Sequence, residues 1–194
     1  EKIHPHLDFI NVMTYDINGA WSPVTNFNAP LYPSPDDPVS PPDWNANAAL
    51  QTYLARGVPP EKLIMGLPFY GRGVTGVANH NDGLFQPHGG AAIGTWDDWA
   101  SGATGMFDYS DIALNYLTKP SVQRHWSEDA KVPWLYDVET GLFISYDDPT
   151  SLGLKAKHVS DQGLGGVMIW EMSSDSDNEL LTAIVTGLEG GTTE

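Results

Sequence analysis

The tetrapeptide Met13-Thr14-Tyr15-Asp16 brings together side chains that can handle a polar ligand. A tyrosine hydroxyl donates a hydrogen bond, and an aspartate carboxylate accepts hydrogen bonds from hydroxyl groups. Trp21 follows in the same stretch and offers an aromatic face for stacking. Four-residue patterns are weak evidence, and a core methionine and tyrosine before a turn aspartate explains the tetrapeptide better when it is taken alone. The surrounding elements must therefore decide whether these side chains form a site.

The tetrapeptide ends an apolar run, which predicts a buried strand over residues 8–15 with Met13 and Tyr15 on one side. Functional side chains at the C-terminal end of a buried strand are typical of parallel α/β proteins. Asp43 is predicted to cap the next helix, and Gly57 to end it. The predicted elements are a strand at 8–15, a loop at 17–43, a helix at 44–56, a strand at 62–68, a helix near 108–118, strands near 133–137 and 142–146, a helix at 150–162 ended by Gly163, a strand at 165–170 and a helix at 178–187.

Three buried strands recur, each followed by a helix or by an insertion and a helix, and this pattern predicts an α/β fold with parallel strands. The segment 73–145 interrupts the rhythm and is predicted to be an inserted α+β subdomain. Parallel strands need both faces covered, and three of them cannot close an eight-stranded barrel. The sequence therefore predicts an incomplete parallel architecture.

Composition excludes several classes of partner and site. The net charge of −16 argues against nucleic acids and anionic membranes, because both would repel the chain. The absence of cysteine excludes disulfides, thiolate zinc sites and a cysteine nucleophile. The six histidines are scattered apart from His4 and His6, so neither a metal site nor a cofactor is predicted. Seven Trp, eight Tyr and six Phe are compatible with sugar stacking and equally with an aromatic core.

Three spaced motifs together resemble family 18 of the glycoside hydrolases, the chitinases. The run DFINVMTYD at 8–16, continued by NAPLY at 28–32, resembles the sixth barrel strand and its loop. LIMGLPFYGR at 63–72 resembles the seventh strand, and GLGGVMIW at 163–170 resembles the eighth. The inserted subdomain falls between the seventh and eighth strands, as in many members of the family. The resemblance covers essentially the whole chain.

This resemblance implies the C-terminal part of a TIM (β/α)8 barrel that carries an α+β insertion subdomain. Four segments are expected: 1–72 with barrel strands six and seven, 73–145 as the insertion, 146–188 with the last helices and strand eight, and 189–194 as a tail.

The sequence departs from the family in one respect. The family signature, an Asp-x-x-Asp-x-Asp-x-Glu run whose Glu is the general acid, does not occur in the 194 residues. Strands one to five are therefore expected to lie before Glu1. We expect the chain alone to have little or no hydrolase activity, and to need the missing strands or self-association to cover its sheet.

The resemblance also implies roles for individual residues. Family members cleave β-1,4-linked N-acetylglucosamine with retention, using the acetamido oxygen of the substrate as nucleophile. Tyr15 is then expected to donate a hydrogen bond to that oxygen, and Asp16 to bind sugar hydroxyls. Met13 is expected to line the acetamido pocket, Trp170 to form the floor beneath the distorted sugar, and Trp21 to stack on the product side.

Tyr70 and Arg72 are expected to bind sugar hydroxyls at the next strand end. Two of these assignments have structural alternatives, since Arg72 also fits an ion pair and Trp170 also fits a core aromatic. Glu171 is expected to point away from the face of Trp170, because side chains alternate along a strand. Trp96, Trp99, Trp126 and Trp134 are expected to pack the insertion, with one of them reaching the cleft wall as the alternative.

The expected substrate is chitin or chito-oligosaccharides, and an extracellular location follows from the family alone. A chitinase-like lectin that binds the sugar without cleaving it remains open, because the general acid that distinguishes the two is not in this sequence. An endo-β-N-acetylglucosaminidase is a further alternative, although such enzymes usually lack the insertion.

Overall fold

The computed structural model describes residues 3–98 and 100–190. Its strands are β1 (Ile10–Val12), β2 (Leu63–Pro68), β3 (Tyr70–Val74), β4 (Met106–Asp108), β5 (Val122–Ser127), β6 (Val132–Asp137), β7 (Leu142–Ser145) and β8 (Gly166–Trp170). Its helices are α1 (Ala46–Ala55), α2 (Tyr109–Asp111), α3 (Pro149–Asp161) and α4 (Glu179–Leu188). A π-helix over Ile112–Tyr116 continues α2.

The first sheet contains the three strands that the apolar runs predict. They are parallel and ordered β1-β2-β8, with β2 in the centre. The strand predicted over 8–15 is too long, because ladder pairing is confined to Ile10–Val12. The chain beyond Val12 is held by a side chain instead, since the Thr14 hydroxyl donates to the Gly66 carbonyl at 2.7 Å.

The two faces of this sheet have different surroundings. Leu63, Met65 and Leu67 of β2 are fully buried on the face against which the helices pack. On the other face, Met13 is 70% exposed and Trp170 is 52% exposed. The uncovered face is the one that would line the interior of a closed barrel, as expected for the last three barrel strands.

The second sheet is antiparallel and has the order β4-β3-β7-β6-β5. Two of its strands, β6 and β7, match the predicted strands, whereas β3, β4 and β5 were not expected. The segment boundary expected between residues 72 and 73 falls within β3, which begins at Tyr70. The helix expected near 108–118 is one short α-turn followed by the π-helix.

Phe69 joins the two sheets. It lies between β2 and β3, is fully buried, and donates its backbone N–H to the carbonyl of Trp170 at 2.8 Å. Its own carbonyl accepts from the Tyr109 N–H at 2.9 Å. The strand end that carries Tyr70 and Arg72 is therefore held against β8 on one side and the insertion on the other.

The predicted stop residues of α1 and α3 are correct, but the predicted start of α1 is not. Gly57 and Gly163 adopt φ of +83° and +61° just after α1 and α3, as residues that end helices do. The predicted cap of α1, Asp43, is wrong. Asn45 caps the helix, because its extended backbone lets its side chain accept from the Ala48 N–H at 2.9 Å.

The insertion tryptophans do not all pack as expected. Trp134 is buried and donates to the Asp82 carbonyl. Trp96 is 83% exposed, and its indole N–H donates to Asp108 at 2.8 Å. It therefore faces solvent, contrary to the expectation that it packs the insertion. Trp99, and most of the tail expected at 189–194, lie outside the described residues.

Among the residues that the structure describes, no helix combines the length and apolar character needed to cross a membrane. Within the same residues, no group of three or more His, Asp or Glu side chains is arranged to hold a metal ion.

A buried ion pair anchors the start of α3. Lys155 Nζ lies 2.5 Å from Asp147 Oδ1, and both side chains are 1% exposed. Burial raises the pKa of Asp147 and lowers that of Lys155, and their mutual attraction opposes both shifts. Ser151 also donates to Asp147 Oδ1 at 2.7 Å. Removal of one partner would leave the other charge buried without compensation.

We predict that Lys155→Met lowers the free energy of unfolding by about 3–5 kcal/mol, because it leaves the Asp147 carboxylate buried without its ion-pair partner. Lys157→Met is the matched control. Its partner is Asp161, and the two side chains are 45% and 56% exposed, so the loss should stay below about 1 kcal/mol. Urea unfolding followed by circular dichroism measures both. Equal losses in the two variants would contradict the prediction.

Candidate active site

Tyr15 lies across the central strand at a point where only glycine fits. A Cβ at Gly66 would come within 2.9 Å of Tyr15 Cε1 and 2.7 Å of the Val12 carbonyl oxygen. Real Cβ atoms do not approach that closely, so the missing side chain of Gly66 provides the seat for the tyrosine ring. The ring is placed with its hydroxyl 3.9 Å from Met168 Sδ, on the far strand β8.

The Tyr15 hydroxyl is prepared to donate a hydrogen bond to a ligand. Burial, followed by the charge of Asp16, raises its pKa above the ordinary value of 10. It therefore stays protonated at neutral pH. Within the described part of the chain, its protein partner is a thioether sulfur, which is a weak acceptor. A carbonyl oxygen brought into reach would be a better one.

Asp16 is held by groups from β3 and from the loop that contains Asn28. Arg72 Nε donates to Oδ1 at 2.8 Å and Nη2 to Oδ2 at 2.9 Å, which makes the pair bidentate. The Tyr70 hydroxyl donates to Oδ1 at 2.8 Å. The backbone N–H of Asp16, in the left-handed region at φ 57°, donates to the Asn28 side chain at 3.0 Å. Three residues singled out in the sequence, Asp16, Tyr70 and Arg72, thus meet at one point.

The pKa values of Tyr70 and Arg72 are both raised in this cluster. Burial, then repulsion from Asp16 and the hydrogen bond to it, raises the pKa of Tyr70 well above its usual range. Burial acts to lower the pKa of Arg72, but the hydrogen bonds and charge of Asp16 outweigh it, and the net shift is upward. The ion-pair alternative considered for Arg72 is the contact observed here. Arg72 thus contacts both carboxylate oxygens of Asp16, and Tyr70 contacts one of them.

Trp21 stands over the Arg72 guanidinium, with Cζ 5.4 Å from the ring centroid. Arg72 Cζ also lies 5.1 Å from the Tyr70 ring, and Tyr15 meets Tyr70 edge-on at 6.1 Å. The indole folds back over Gly19, where a Cβ would come within 2.5 Å of it. Trp21 is nevertheless 58% exposed. An aromatic face held in this way is available to a ligand.

Trp170 and Met13 complete the open side of the site. Trp170 ends β8, pairs with Pro68 in the ladder and is 52% exposed, so it is not a core aromatic. Met13 is 70% exposed. The Glu171 carboxylate accepts from the Ser173 hydroxyl. Met13, Trp21 and Trp170 therefore leave apolar and aromatic surface accessible, whereas Tyr70 is buried and donates its hydroxyl to Asp16.

A concavity of about 450 Å³ lies against this cluster, and its lining includes Met13, Asp16 and Trp21. It is also bordered by Trp44, a residue that the sequence reading did not single out. Gly66 and Asn28 were likewise not assigned roles. A glycine inside an apolar strand signals close approach of another group, so Gly66 was open to detection. An aromatic residue at the end of a polar loop was the corresponding signal for Trp44.

Comparisons with known proteins show which family this chain resembles. The family model for glycosyl hydrolases family 18 matches residues 1–175. Chitinase A1 of Niallia circulans is 42% identical over 197 residues, which cover 99% of this chain and 27% of that protein. Chitinase B of Serratia marcescens is 33% identical, covering 92% of this chain and 43% of that protein.

Among solved structures, chitinase ChiA74 from Bacillus thuringiensis matches with a TM-score of 0.92 and 42% identity. The match covers 100% of this chain and 33% of that one. The chain thus spans less than half the length of these relatives.

We predict that Gly66→Ala displaces the Tyr15 ring and lowers the free energy of unfolding by about 1–3 kcal/mol, as overpacking does. The displacement should change the near-ultraviolet circular dichroism. If the methyl group that this substitution adds clashes with the Tyr15 ring, adding Tyr15→Ala should recover part of the lost stability. The coupling free energy between the two substitutions in a double-mutant cycle should then be at least about 0.5 kcal/mol. If urea unfolding shows that the stability losses of the two substitutions simply add, the ring does not depend on Gly66 for its position and the prediction is wrong.

Proposed function

Because the chain belongs to glycosyl hydrolases family 18, we propose that the whole protein hydrolyses chitin or chito-oligosaccharides with retention of configuration. This chain contributes the acetamide-binding half of the site. The observation that carries the proposal is the Tyr15 hydroxyl, a protonated donor with only a thioether partner in the described part of the chain. It lies beside the carboxylate of Asp16, which Arg72 holds in position.

The proposed reaction uses the substrate as its own nucleophile. The acetamido oxygen attacks the anomeric carbon as the glycosidic bond breaks, and an acid outside these residues protonates the leaving oxygen. Tyr15 donates to the acetamido oxygen and orients it for attack. Asp16 stabilises the positive charge that develops on the oxazolinium-like intermediate, which water then opens. Trp170 supports the distorted sugar from below, and Met13 lines the acetamido pocket.

The proton donor must come from another segment. The 194 residues contain no Asp-x-x-Asp-x-Asp-x-Glu run, and both Asp16 oxygens accept hydrogen bonds from Arg72. General acid catalysis typically contributes about 10²–10⁴-fold. The chain by itself is therefore expected to turn over little substrate. Its uncovered sheet face also requires the missing barrel strands or a second copy of the chain.

A chitinase-like lectin is the second candidate, because the general acid that would distinguish it from a chitinase is not in this sequence. Such a protein would use the same aromatic and hydroxyl groups to bind the sugar without cleavage. An endo-β-N-acetylglucosaminidase fits less well, because the insertion sheet is present. An extracellular location is part of the proposal and rests on the family alone.

We predict that the purified 194-residue chain releases no chromophore from a chromogenic chitobioside. A chimera in which this chain replaces the matching segment of chitinase ChiA74 should release it, because the chimera supplies the acid and covers the open sheet face. Tyr15→Phe in the chimera should lower kcat/KM about 10²-fold, as loss of one positioned donor does. Tyr53→Phe, which removes a hydroxyl from α1 away from the site, is the control and should change nothing.

Robust turnover by the chain alone would refute the assignment of the acid to another segment. A whole protein that binds chito-oligosaccharides and cleaves none would favour the lectin, because the chimera supplies the acid whether or not the protein has its own. Equal activity of the chimera and its Tyr15→Phe variant would remove Tyr15 from the mechanism.

A further inference from the structure

Trp44 presents a second accessible aromatic face at the border of the candidate cleft. Its side chain is 54% exposed. It lines the same 450 Å³ concavity as Asp16 and Trp21. Asp43 lies on the same border and offers a carboxylate. A ligand held over Trp21 therefore has another stacking surface within the same depression.

The same indole borders a separate cavity of about 270 Å³ beneath the proline-rich loop. Neither Met13 nor Asp16 lines this second cavity, whereas Trp44, Ser40 and Asp37 do. Trp44 thus stands at the junction of two depressions, and only one of them reaches the candidate catalytic groups. Trp44 is therefore shared by the depression that contains Asp16 and the depression that lies beyond it.

The backbone that carries Trp44 is tightly held. Its N–H donates to the Pro41 carbonyl at 2.9 Å. The next residue, Asn45, caps α1, and its side chain also donates to the Pro42 carbonyl at 2.9 Å. The Ala46 N–H donates to the Pro30 carbonyl at 2.9 Å. Because these hydrogen bonds hold the backbone at Trp44, that backbone loses little conformational entropy when a ligand binds.

We propose that Trp44 is a sugar-stacking platform that extends the cleft beyond Trp21, so that the site prefers chito-oligosaccharides long enough to reach it. The proposal rests on the proposed function. Neutral N-acetylglucosamine units fit the local chemistry, because their C–H faces stack on indole and their hydroxyls donate to the carboxylates of Asp37 and Asp43. An anionic glycan would be repelled by these groups and by the net charge of −16.

The test is the length dependence of binding. Isothermal titration calorimetry of the chain with chitobiose and with chitohexaose should show tighter binding of the hexaose. Trp44→Ala should weaken hexaose binding about tenfold, the scale of one lost stacking contact, and leave chitobiose binding unchanged. Trp44→Phe should retain most of the affinity. Tyr53→Ala, a partly exposed aromatic on α1 that lines neither cavity, is the matched control and should bind like the parent.

A second measurement needs no substitution. Oxidation of the unsubstituted chain with N-bromosuccinimide, mapped by peptide mass spectrometry, should show that chitohexaose protects both Trp21 and Trp44. Protection of Trp21 without Trp44, or a Trp44→Ala variant that binds hexaose as the parent does, overturns this inference and leaves the proposed function standing. Failure of every chito-oligosaccharide to bind the whole protein overturns both.

Discussion

The bidentate pair between Asp16 and Arg72 is the contact on which the site depends. Asp16 follows the first strand of the parallel sheet, and Arg72 belongs to β3 of the insertion sheet, so the pair ties the two sheets together at the cleft. The guanidinium also supports Trp21 and Tyr70 through its faces. Ion pairs of this kind specify geometry more reliably than they add stability, because desolvation offsets much of their attraction. The pair therefore fixes the positions of Trp21 and Tyr70 around Asp16.

Two glycines and one uncovered sheet face make the candidate site possible on a sheet of three parallel strands. Because Gly66 has no side chain, the Tyr15 ring can contact the central strand at that position. The same holds for Gly19 and Trp21 in the loop. The sheet face that carries Met13 and Trp170 stays uncovered, while the opposite face is buried under helices. In an eight-stranded family 18 barrel that open face would be the barrel interior.

Particular elements show how far sequence reasoning reached. The three parallel strands and the helices α1, α3 and α4 were predictable because long apolar or periodic runs mark them. β3, β4 and β5 were missed because Gly71, Gly73 and the charged and aromatic residues of β5 break any simple alternation, and their pairing comes from neighbours distant in the chain. The cap of α1 was misplaced by two residues, since Asp43 and Asn45 are both good caps and only the backbone conformation decides between them.

The sequence by itself determined the family and the three parallel strands, because each is written in contiguous motifs. It also determined that no acidic family signature is present in these residues. Only the tertiary structure decided that Arg72 pairs with Asp16, that Tyr15 is seated on Gly66, and that Trp44 borders the cleft. These contacts join residues separated by tens of positions, and no local pattern encodes which distant side chain will meet which once the sheets pack.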